Sequence, residues 1–321
     1  MEVVRLNTEE SRGRVVKAQS GFFWVKTQQH GVVVSQLPGR MKKDRQNTDL
    51  TAVGDWVTIT LNKDKTGTIA TVEERHSTLS RTRPVAGSRS LRSDREQVLI
   101  ANVDQVVFVF AAKNPEPNLR KLDRFLVVAE MNELPAIICL NKIDLIDLAQ
   151  LQQEFALYET LGYEVVYTSV KTGYGVETLR QQLAGKLSVF AGSSGVGKSS
   201  LLNAVQPGLG LQVKDVSEAT GKGMHTTRYT EMFPLDVGGY VADTPGIRGL
   251  ALFDVEPSEL DAYFREIAPL VADCQFSNCT HRNEPNCAVR AAVAAGRIAP
   301  QRYESYLRLR EEHDVLDQAM Y

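Results

Sequence analysis

The stretch from Leu187 to Val205, LSVFAGSSGVGKSSLLNAV, constrains the fold more than any other part of this chain. A short apolar run leads into a glycine-rich loop, and the loop leads into a segment with helical character. The loop matches G-x-x-x-x-G-K-[ST] at every fixed position, from Gly192 to Ser199. A strand, such a loop and a helix in this order predict an open α/β sheet whose backbone N–H groups cradle phosphate. The alternative, a chance match in an unrelated loop, would not carry the flanking strand and helix.

Strands and helices alternate around this loop. DQVVFVFAA, LPAIICL and LSVFAG are continuous apolar runs, which are typical of strands buried on both faces. Segments with helical spacing lie between them, such as NLRKLDRFLVVAEMN. This alternation predicts a doubly wound, parallel α/β sheet.

The two ends of the chain have different patterns. Residues 12–77 consist of β-rich runs broken by Gly, Asn and Asp, which predicts a small β-barrel such as an OB-fold. The Arg- and Ser-rich stretch that follows is typical of a linker. The chain from about Phe253 is predicted to be helical, with Ser258 as an N-cap and Asp261 as its capping-box partner. The expected segments are 1–80, a barrel; 81–96, a basic linker; 97–252, the α/β domain; and 253–321, a helical domain.

A second motif, NKID, predicts a guanine-binding loop. The carboxylate of Asp144 can accept hydrogen bonds from guanine N1–H and the 2-amino group, donors that adenine lacks. Asn141 would order the loop, and the stem of Lys142 would cover the base. A simple turn at a helix start is the alternative. The predicted base-contacting residues are Asn141, Lys142, Ile143 and Asp144, followed by the supporting loop Ser169, Val170 and Lys171.

The phosphate loop and the residues after it predict Mg²⁺-dependent phosphate chemistry. Lys198 can reach the β- and γ-phosphates, and the Ser199 hydroxyl can ligate Mg²⁺. Asp243 and Gly246 belong to a D-x-x-G motif after a predicted strand, where an Asp holds Mg²⁺ through water and the Gly N–H meets the γ-phosphate. Thr227 is expected to complete the Mg²⁺ shell. The predicted phosphate-contacting residues are Gly192, Ser193, Ser194, Gly195, Val196, Gly197, Lys198, Ser199 and Ser200.

Three cysteines and one histidine form a candidate metal site near the C-terminus. Three thiolates and one imidazole match a closed tetrahedral Zn²⁺ site, which is structural because no ligand position stays open. The spacing departs from C-x2-C, and three unrelated cysteines are the alternative. The predicted ligands are Cys274, Cys279, His281 and Cys287.

Charge is unevenly distributed. The chain has a net charge of −2, yet residues 1–95 hold 17 Lys and Arg against 10 Asp and Glu. This excess predicts contact with a polyanion. The alternative is that these charges are scattered over the surface and are simply solvated. Phe22, Phe23 and Trp24 could stack on bases, although one or two of them should face the core. The basic candidates for RNA contact are Arg40, Lys42, Lys43 and Arg45, with Arg81, Arg83, Arg89 and Arg92 in the linker.

No apolar run approaches the roughly 18 residues of a membrane span, and the first 20 residues lack the apolar core of a signal peptide. We therefore expect a cytoplasmic protein with no membrane partner. Clustered cysteines in such a compartment favour metal binding over disulfides.

The order of the motifs is unusual, because the guanine-binding loop precedes the phosphate loop. NKID, SVK, GSSGVGKS, TT and DTPG in this order make the chain resemble the bacterial ribosome small-subunit-dependent GTPase A family, a group of circularly permuted GTPases. The resemblance extends from VGDWV to CQFSNCTHRNEPNCAV and RYESYLRL. It implies an OB-fold RNA-binding domain, a circularly permuted P-loop GTPase domain and a helical zinc-binding domain.

The resemblance also implies a function and partners. It implies a late maturation factor of the small ribosomal subunit that binds ribosomal RNA, uses GTP and GDP with Mg²⁺, and is stimulated by the subunit. Other subunit assembly factors are further expected partners, and we expect a monomer. Two alternatives stay open: a GTP-gated RNA-binding module with incidental hydrolysis, and a GTPase that acts on a different RNA or membrane partner.

The residue after D-x-x-G predicts slow hydrolysis by the protein without its partner. Many P-loop GTPases place a Gln there to orient the attacking water, whereas this chain has Ile247, which cannot hydrogen-bond through its side chain. His225 is the internal candidate for positioning the water, with an exposed histidine of no catalytic role as the alternative. We further expect contacts at Gly246 and Thr227 to set the orientation of the C-terminal domain.

Overall fold

The structure is a computed structural model, and it describes residues 9–39, 50–83, 95–211, 230–243 and 258–320. The chain divides into two compact units. The first contains Met1–Asp104, Leu183–Phe190 and Ser217–Ile247. The second contains Gln105–Gln182, Ala191–Val216 and Arg248–Tyr321.

The first unit begins with a closed five-stranded barrel. Strand β1 pairs antiparallel with β2 and β4, β2 pairs with β3, β4 pairs with β5, and a short parallel pairing of β3 and β5 closes the ring. The predicted N-terminal barrel is therefore confirmed. The strands are β1 Glu10–Gln19, β2 Phe22–Thr27, β3 Gly31–Gln36, β4 Trp56–Leu61 and β5 Gly67–Val72.

Every second side chain along the strands points inward and fills the interior of the barrel. Successive side chains of a strand point to opposite faces, so Phe23 is buried while its neighbour Phe22 is 42% exposed. Trp24, on the outer side with Phe22, lies under the ammonium of Lys17, 5.5 Å from the ring centre. The prediction that the three aromatics cannot all face the core is confirmed. The core is Val15, Phe23, Val25, Val33, Leu37, Val57, Ile59 and Ile69.

A two-stranded sheet follows the barrel. Strands β6, Thr78–Arg83, and β7, Arg95–Ala101, pair antiparallel, so strand structure reaches into both ends of the segment predicted as a linker. Gly54 packs against this sheet with a φ of +94°, and a Cβ there would stand 2.0 Å from the carbonyl oxygen of Ala101. The next residue, Asp55, is fully buried and forms an ion pair with Arg75 at 2.7 Å.

Three more strands complete the described part of the first unit. They are β11 Leu187–Ala191, which ends just beyond the unit, β12 Glu231–Pro234 and β13 Tyr240–Asp243. Strand β11 is parallel to β13, β12 is antiparallel to β13, and β12 meets barrel strand β1 at the pair Lys17 and Glu231. The ammonium of Lys17 lies 3.4 Å from the Glu231 carboxylate.

The second unit contains parallel strands and helices. Strands β8 Gln105–Ala111, β9 Ala136–Asn141 and β10 Glu164–Tyr167 form a parallel sheet in the order β10-β9-β8. Every residue of β8 and β9 is buried, as the apolar runs predict. The helices are α1 Leu119–Met131, α2 Leu148–Thr160, α3 Val176–Leu183, which ends just beyond the unit, and α4 Lys198–Val205.

A 3₁₀ turn over Ile143–Leu145 follows β9. The C-terminal part of the second unit is helical, with short 3₁₀ turns over Leu260–Tyr263 and Ala268–Asp273. Its α-helices are α5 Ala288–Ala294 and α6 Pro300–Met320. The capping box expected at Ser258 is not formed, because Asp261 lies within a 3₁₀ turn and its carboxylate contacts His281 instead. Within the described residues, no helix combines the length and apolar content that a membrane span needs.

Gly54→Ala tests the close approach of the barrel to β7. We expect it to lower the free energy of unfolding by about 1–3 kcal/mol more than Gly21→Ala, because overpacking adds to the backbone strain that both changes share. Gly21 is a matched control, since its φ is +83° but no atom lies within 4 Å of the point where its Cβ would stand. Chemical denaturation measures both, and equal losses would contradict the close approach.

Candidate functional site

The phosphate loop lies between β11 and α4 and depends on two glycines. Gly192 has a φ of +153°, and a Cβ there would stand 2.2 Å from the carbonyl oxygen of Val109 in β8. Gly197 has a φ of +91°, and its Cβ would stand 2.5 Å from the side-chain nitrogen of Asn141. No other residue type fits either position without displacing its neighbours. The sequence motif and the local backbone therefore agree.

Three basic or amide side chains converge on the loop backbone. The ammonium of Lys198 donates to the carbonyls of Gly192 and Ser193, at 2.9 and 2.8 Å. Asn141 donates through its side chain to the carbonyl of Val196 at 3.0 Å. Lys142 donates to the carbonyl of Gly195 at 2.7 Å, and also to that of Asn114. The loop predicted to bind the base and the loop predicted to bind phosphate thus form one hydrogen-bonded structure.

The predicted base-binding carboxylate is held in place. Asp144 accepts a hydrogen bond from the Ser169 hydroxyl at 2.6 Å, and its side chain is 12% exposed. The ammonium of Lys171 lies 4.0 Å from the other oxygen of Asp144. Ser169 itself is fully buried. The structure therefore brings the NKID and SVK motifs together, and the remaining acceptor sites of the carboxylate can face a ligand.

Backbone strain coincides with this loop. Lys142 has a φ of +64°, which is uncommon for a residue with a side chain and costs roughly 1–2 kcal/mol. Strain of this kind persists where surrounding contacts over-determine the backbone, and it concentrates at functional sites. The two hydrogen bonds of Lys142 and the buried Asn141 next to it supply those contacts.

Sequence reasoning missed one cation at the phosphate loop. Lys121, in the first turn of α1, donates to the Ser193 hydroxyl at 2.9 Å. Helix α1 follows β8, and a helix that follows a parallel strand starts at the edge of the sheet where ligands bind. That general rule was the available signal, since no motif marks Lys121.

Other predicted site residues lie at the ends of the described ranges or outside them. Asp243 ends β13 beside Phe190 of β11, as expected for a residue at a carboxyl edge. Its side chain is not described. The predicted residues that lie outside the described ranges are His225, Thr227, Gly246, Ile247, Arg40, Lys42, Lys43, Arg45, Arg89 and Arg92.

The four predicted metal ligands meet at one point. Their ligand atoms all lie within 4.8 Å of one another. The sulfurs of Cys274 and Cys287 are 3.9 Å apart, and Nδ1 of His281 lies 3.6 and 3.3 Å from them. Zn–S bonds of about 2.3 Å in a tetrahedron separate two sulfurs by about 3.8 Å, so the spacing fits Zn²⁺. Burial raises the pKa of the Cys279 thiol to about 12, and a bound cation would favour the thiolate.

Two carboxylates hold His281 or the residues on either side of it in the Cys/His cluster. Nε2 of His281 lies 3.1 Å from the Asp261 carboxylate, which orients the ring so that Nδ1 faces the thiols. Glu284 accepts hydrogen bonds from both the backbone and the hydroxyl of Thr280 and from the backbone of Arg282. Burial alone would raise the pKa of Glu284, but hydrogen bonds from the hydroxyl and backbone of Thr280 and from the backbone of Glu284 and Asn283 lower it to about 2. Asp261 was missed as a support because its sequence context predicted a helix cap.

Comparison with known proteins places this chain among its relatives. A model of the RsgA GTPase family matches residues 72–253, and a model of the RsgA N-terminal domain matches residues 12–69. The chain belongs to the RsgA GTPase family. The resemblance read from the motif order is therefore confirmed, and so are the predicted fold class and the GTP-hydrolysing nature of the enzyme.

Similar proteins cover nearly the whole chain. The small ribosomal subunit biogenesis GTPase RsgA of Gemmatimonas aurantiaca is 43% identical over 307 residues, which is 95% of this chain and 98% of that protein. The RsgA of Thermotoga petrophila is 41% identical over 301 residues, covering 93% and 95%.

Solved structures agree with this assignment. The crystal structure of YjeQ from Thermotoga maritima matches with a TM-score of 0.75 and 37% identity, covering 95% of this chain and 99% of that one. YloQ, a circularly permuted GTPase, matches with a TM-score of 0.73 and 33% identity, covering 98% of both chains. Membership in the RsgA GTPase family implies use of guanine nucleotide with Mg²⁺, and the Cys/His cluster is compatible with zinc.

Asp144→Asn tests the predicted base contact. An amide cannot accept from both guanine donors, so we expect GTP affinity to fall by at least about 100-fold. Affinity for xanthosine triphosphate should rise, because its 2-oxo group can accept from the new amide. Competition binding against a fluorescent nucleotide measures both, with Asp147→Asn at the start of α2 as a control for charge. Unchanged GTP affinity would contradict the assigned role of Asp144.

Asp261→Asn tests the support of the metal-binding cluster. We expect the purified chain to hold one Zn²⁺, and this variant to hold it about 10- to 100-fold more weakly, because an amide is a poorer acceptor for the imidazole N–H. The control is Asp273→Asn, an exposed carboxylate next to Cys274. Competition with a coloured chelator gives the affinity. Equal retention by both variants would count against a supporting role.

Proposed function

We propose that this chain is a GTPase that binds the small ribosomal subunit and its ribosomal RNA and assists late maturation of the subunit. The observation that carries the nucleotide part is the link between the two loops, in which Asn141 and Lys142 hold the carbonyls of Val196 and Gly195. A base-binding loop that is hydrogen-bonded to a phosphate-binding loop selects a nucleotide by its base. The names of the relatives support the subunit as partner.

The residue roles follow from this site. Lys198 reaches the β- and γ-phosphates, and the backbone from Gly192 to Ser200 holds the remaining phosphate oxygens. Ser199 and Thr227 hold Mg²⁺, which neutralises phosphate charge when it is bound, and Asp243 supports it. The Gly246 N–H meets the γ-phosphate. Because Ile247 replaces the usual Gln, the attacking water is positioned by His225 or by a group of the subunit, and hydrolysis without the subunit is slow.

The flanking domains contact RNA in this proposal. The outer side of β2 and β3, together with Lys17 of β1 beside Trp24, is here called the β2–β3 face. It combines apolar surface with two lysines, which suits stacked bases and phosphates. Val32 and Val34 are 50% and 37% exposed on it. The face comprises Lys17, Phe22, Trp24, Lys26, Val32 and Val34. The basic loop with Arg40, Lys42, Lys43 and Arg45 is proposed to add phosphate contacts.

The remaining parts of the proposal concern organisation. Zn²⁺ held by Cys274, Cys279, His281 and Cys287 is structural, because the cluster supplies four ligands. The functional segments are 1–80, 81–96, 97–252 and 253–321. The protein acts as a monomer in the cytoplasm, where the small subunits mature, and it contacts other assembly factors there.

Turnover and binding with ribosomal subunits test this function. We expect GTP hydrolysis to rise by orders of magnitude when small subunits are added, by analogy with a site completed in trans, which gives roughly 10⁵-fold for Ras. Co-sedimentation should weaken steeply with salt, and Lys26→Glu should weaken it further and flatten the salt dependence by about one unit of slope.

The control for the barrel is Lys63→Glu in the turn between β4 and β5, which also reverses one charge but lies off the β2–β3 face. Normal stimulation and binding are expected for it. Hydrolysis that subunits do not change would favour a GTP-gated binding module. Binding to other RNA but not to small subunits would favour a different partner.

A further inference from the structure

Helix α1 touches the phosphate loop at one end and the C-terminal region along its length. At its start, Lys121 donates to the Ser193 hydroxyl at 2.9 Å. On the sheet side, the ring of Phe125 stacks on Phe108 of β8 with 5.0 Å between centres, which fixes the helix against the sheet. Helix α1 is therefore a rigid element with one functional contact at its first turn.

The second contact of α1 is a buried ion pair. Asp123 is 2% exposed and accepts hydrogen bonds from the Tyr158 hydroxyl, at 2.8 Å, and from the guanidinium of Arg302 in α6. Arg302 is 2% exposed and also donates to Glu266 at 2.6 Å. Burial alone would lower the pKa of Arg302, but the carboxylates of Glu266 and Asp123 raise it above its usual value. Breaking such a pair strands a buried charge, so α1 and α6 are held together.

Further contacts extend this attachment. Arg124 of α1 forms an ion pair with Glu312 of α6. Near the other end of α1, Glu130 accepts from Arg265 at 2.7 Å, and the same guanidinium donates to the carbonyls of Leu161 and Gly162 beyond α2. Movement of the C-terminal region relative to α1 would disrupt all of these contacts together.

Helix geometry places the contact with Ser193 and the contact with Arg302 on opposite sides of α1. Successive residues are rotated by about 100°, so Lys121 and Asp123 lie about 200° apart and face opposite sides of α1. One side meets the phosphate loop and the other meets α6. The buried ion pair with α6 and the contact with Ser193 are therefore separated by less than one turn of α1.

We propose that α1 couples the C-terminal zinc-bearing region to the phosphate loop, with Lys121 and Asp123 as positioning residues for nucleotide binding. The inference rests on the proposed nucleotide site. It supplies a route between the two regions that is separate from the one expected through Gly246 and Thr227. A partner that displaces α6 would thereby change the hold of the loop on phosphate.

A double-mutant cycle on nucleotide affinity tests the coupling. The variants are Lys121→Met, Asp123→Asn and both together in the full chain, titrated with fluorescent mant-GDP well below their melting temperatures. We expect each single change to weaken binding by about three- to tenfold. The double variant should bind about as weakly as the weaker single variant, because both changes cut the same connection. Arg302→Lys is a second variant that disturbs the ion pair from the other side.

The control variants, Arg120→Met in α1 and Arg308→Met in α6, change solvent-accessible arginines of the same two helices. Arg308 forms an ion pair only with Glu304 of its own helix among the described residues. Neither variant should change the affinity for mant-GDP. A loss of melting temperature in Asp123→Asn and Arg302→Lys with wild-type nucleotide affinity would overturn the coupling and leave a purely stabilising pair. Multiplying effects in the double variant would also overturn it. Failure of the wild-type chain to bind mant-GDP would instead contradict the proposed nucleotide site.

Discussion

The hydrogen bond from the Asn141 side chain to the carbonyl of Val196 joins two loops that stand 55 residues apart in the chain. Both loops follow buried strands. Space beside this hydrogen bond is tight, because a Cβ at position 197 would collide with the same Asn141 amide. The order of the two loops in the chain does not matter to this contact. A circularly permuted chain can therefore build the same nucleotide site as an unpermuted one.

The C-terminal region is attached to this site by charge. Arg302 and Arg265 each contact a carboxylate of α1, and Arg302 is almost completely buried. Buried ion pairs add little net stability compared with apolar contacts, but they fix register, since a slipped arrangement leaves charges unpaired. The C-terminal region that contains the Cys/His cluster is thus held against α1 by ion pairs at several points along the helix.

Sequence patterns predicted the elements that obey local rules. The phosphate loop, the NKID loop, the buried strands and the Cys/His cluster all follow from spacing within a short window, and the alternation of Phe22 and Phe23 follows from the geometry of a strand. Lys121, Asp261 and Arg302 could not be predicted in this way. Their partners lie 72, 20 and 179 residues away, and only tertiary packing brings them together. Asp261 shows the difficulty, because its local pattern fits a helix cap equally well.

The single register pair between β1 and β12 has a consequence for how the chain can be divided. Without the barrel, β12 would present its unpaired N–H and C=O groups to solvent, and an open edge of this kind recruits strands from other molecules. The barrel strand covers the start of that edge, at Glu231, and the ion pair of Lys17 with Glu231 places opposite charges across the contact. A fragment cut free of the barrel would therefore leave this part of the β12 edge open to pairing with strands of other molecules.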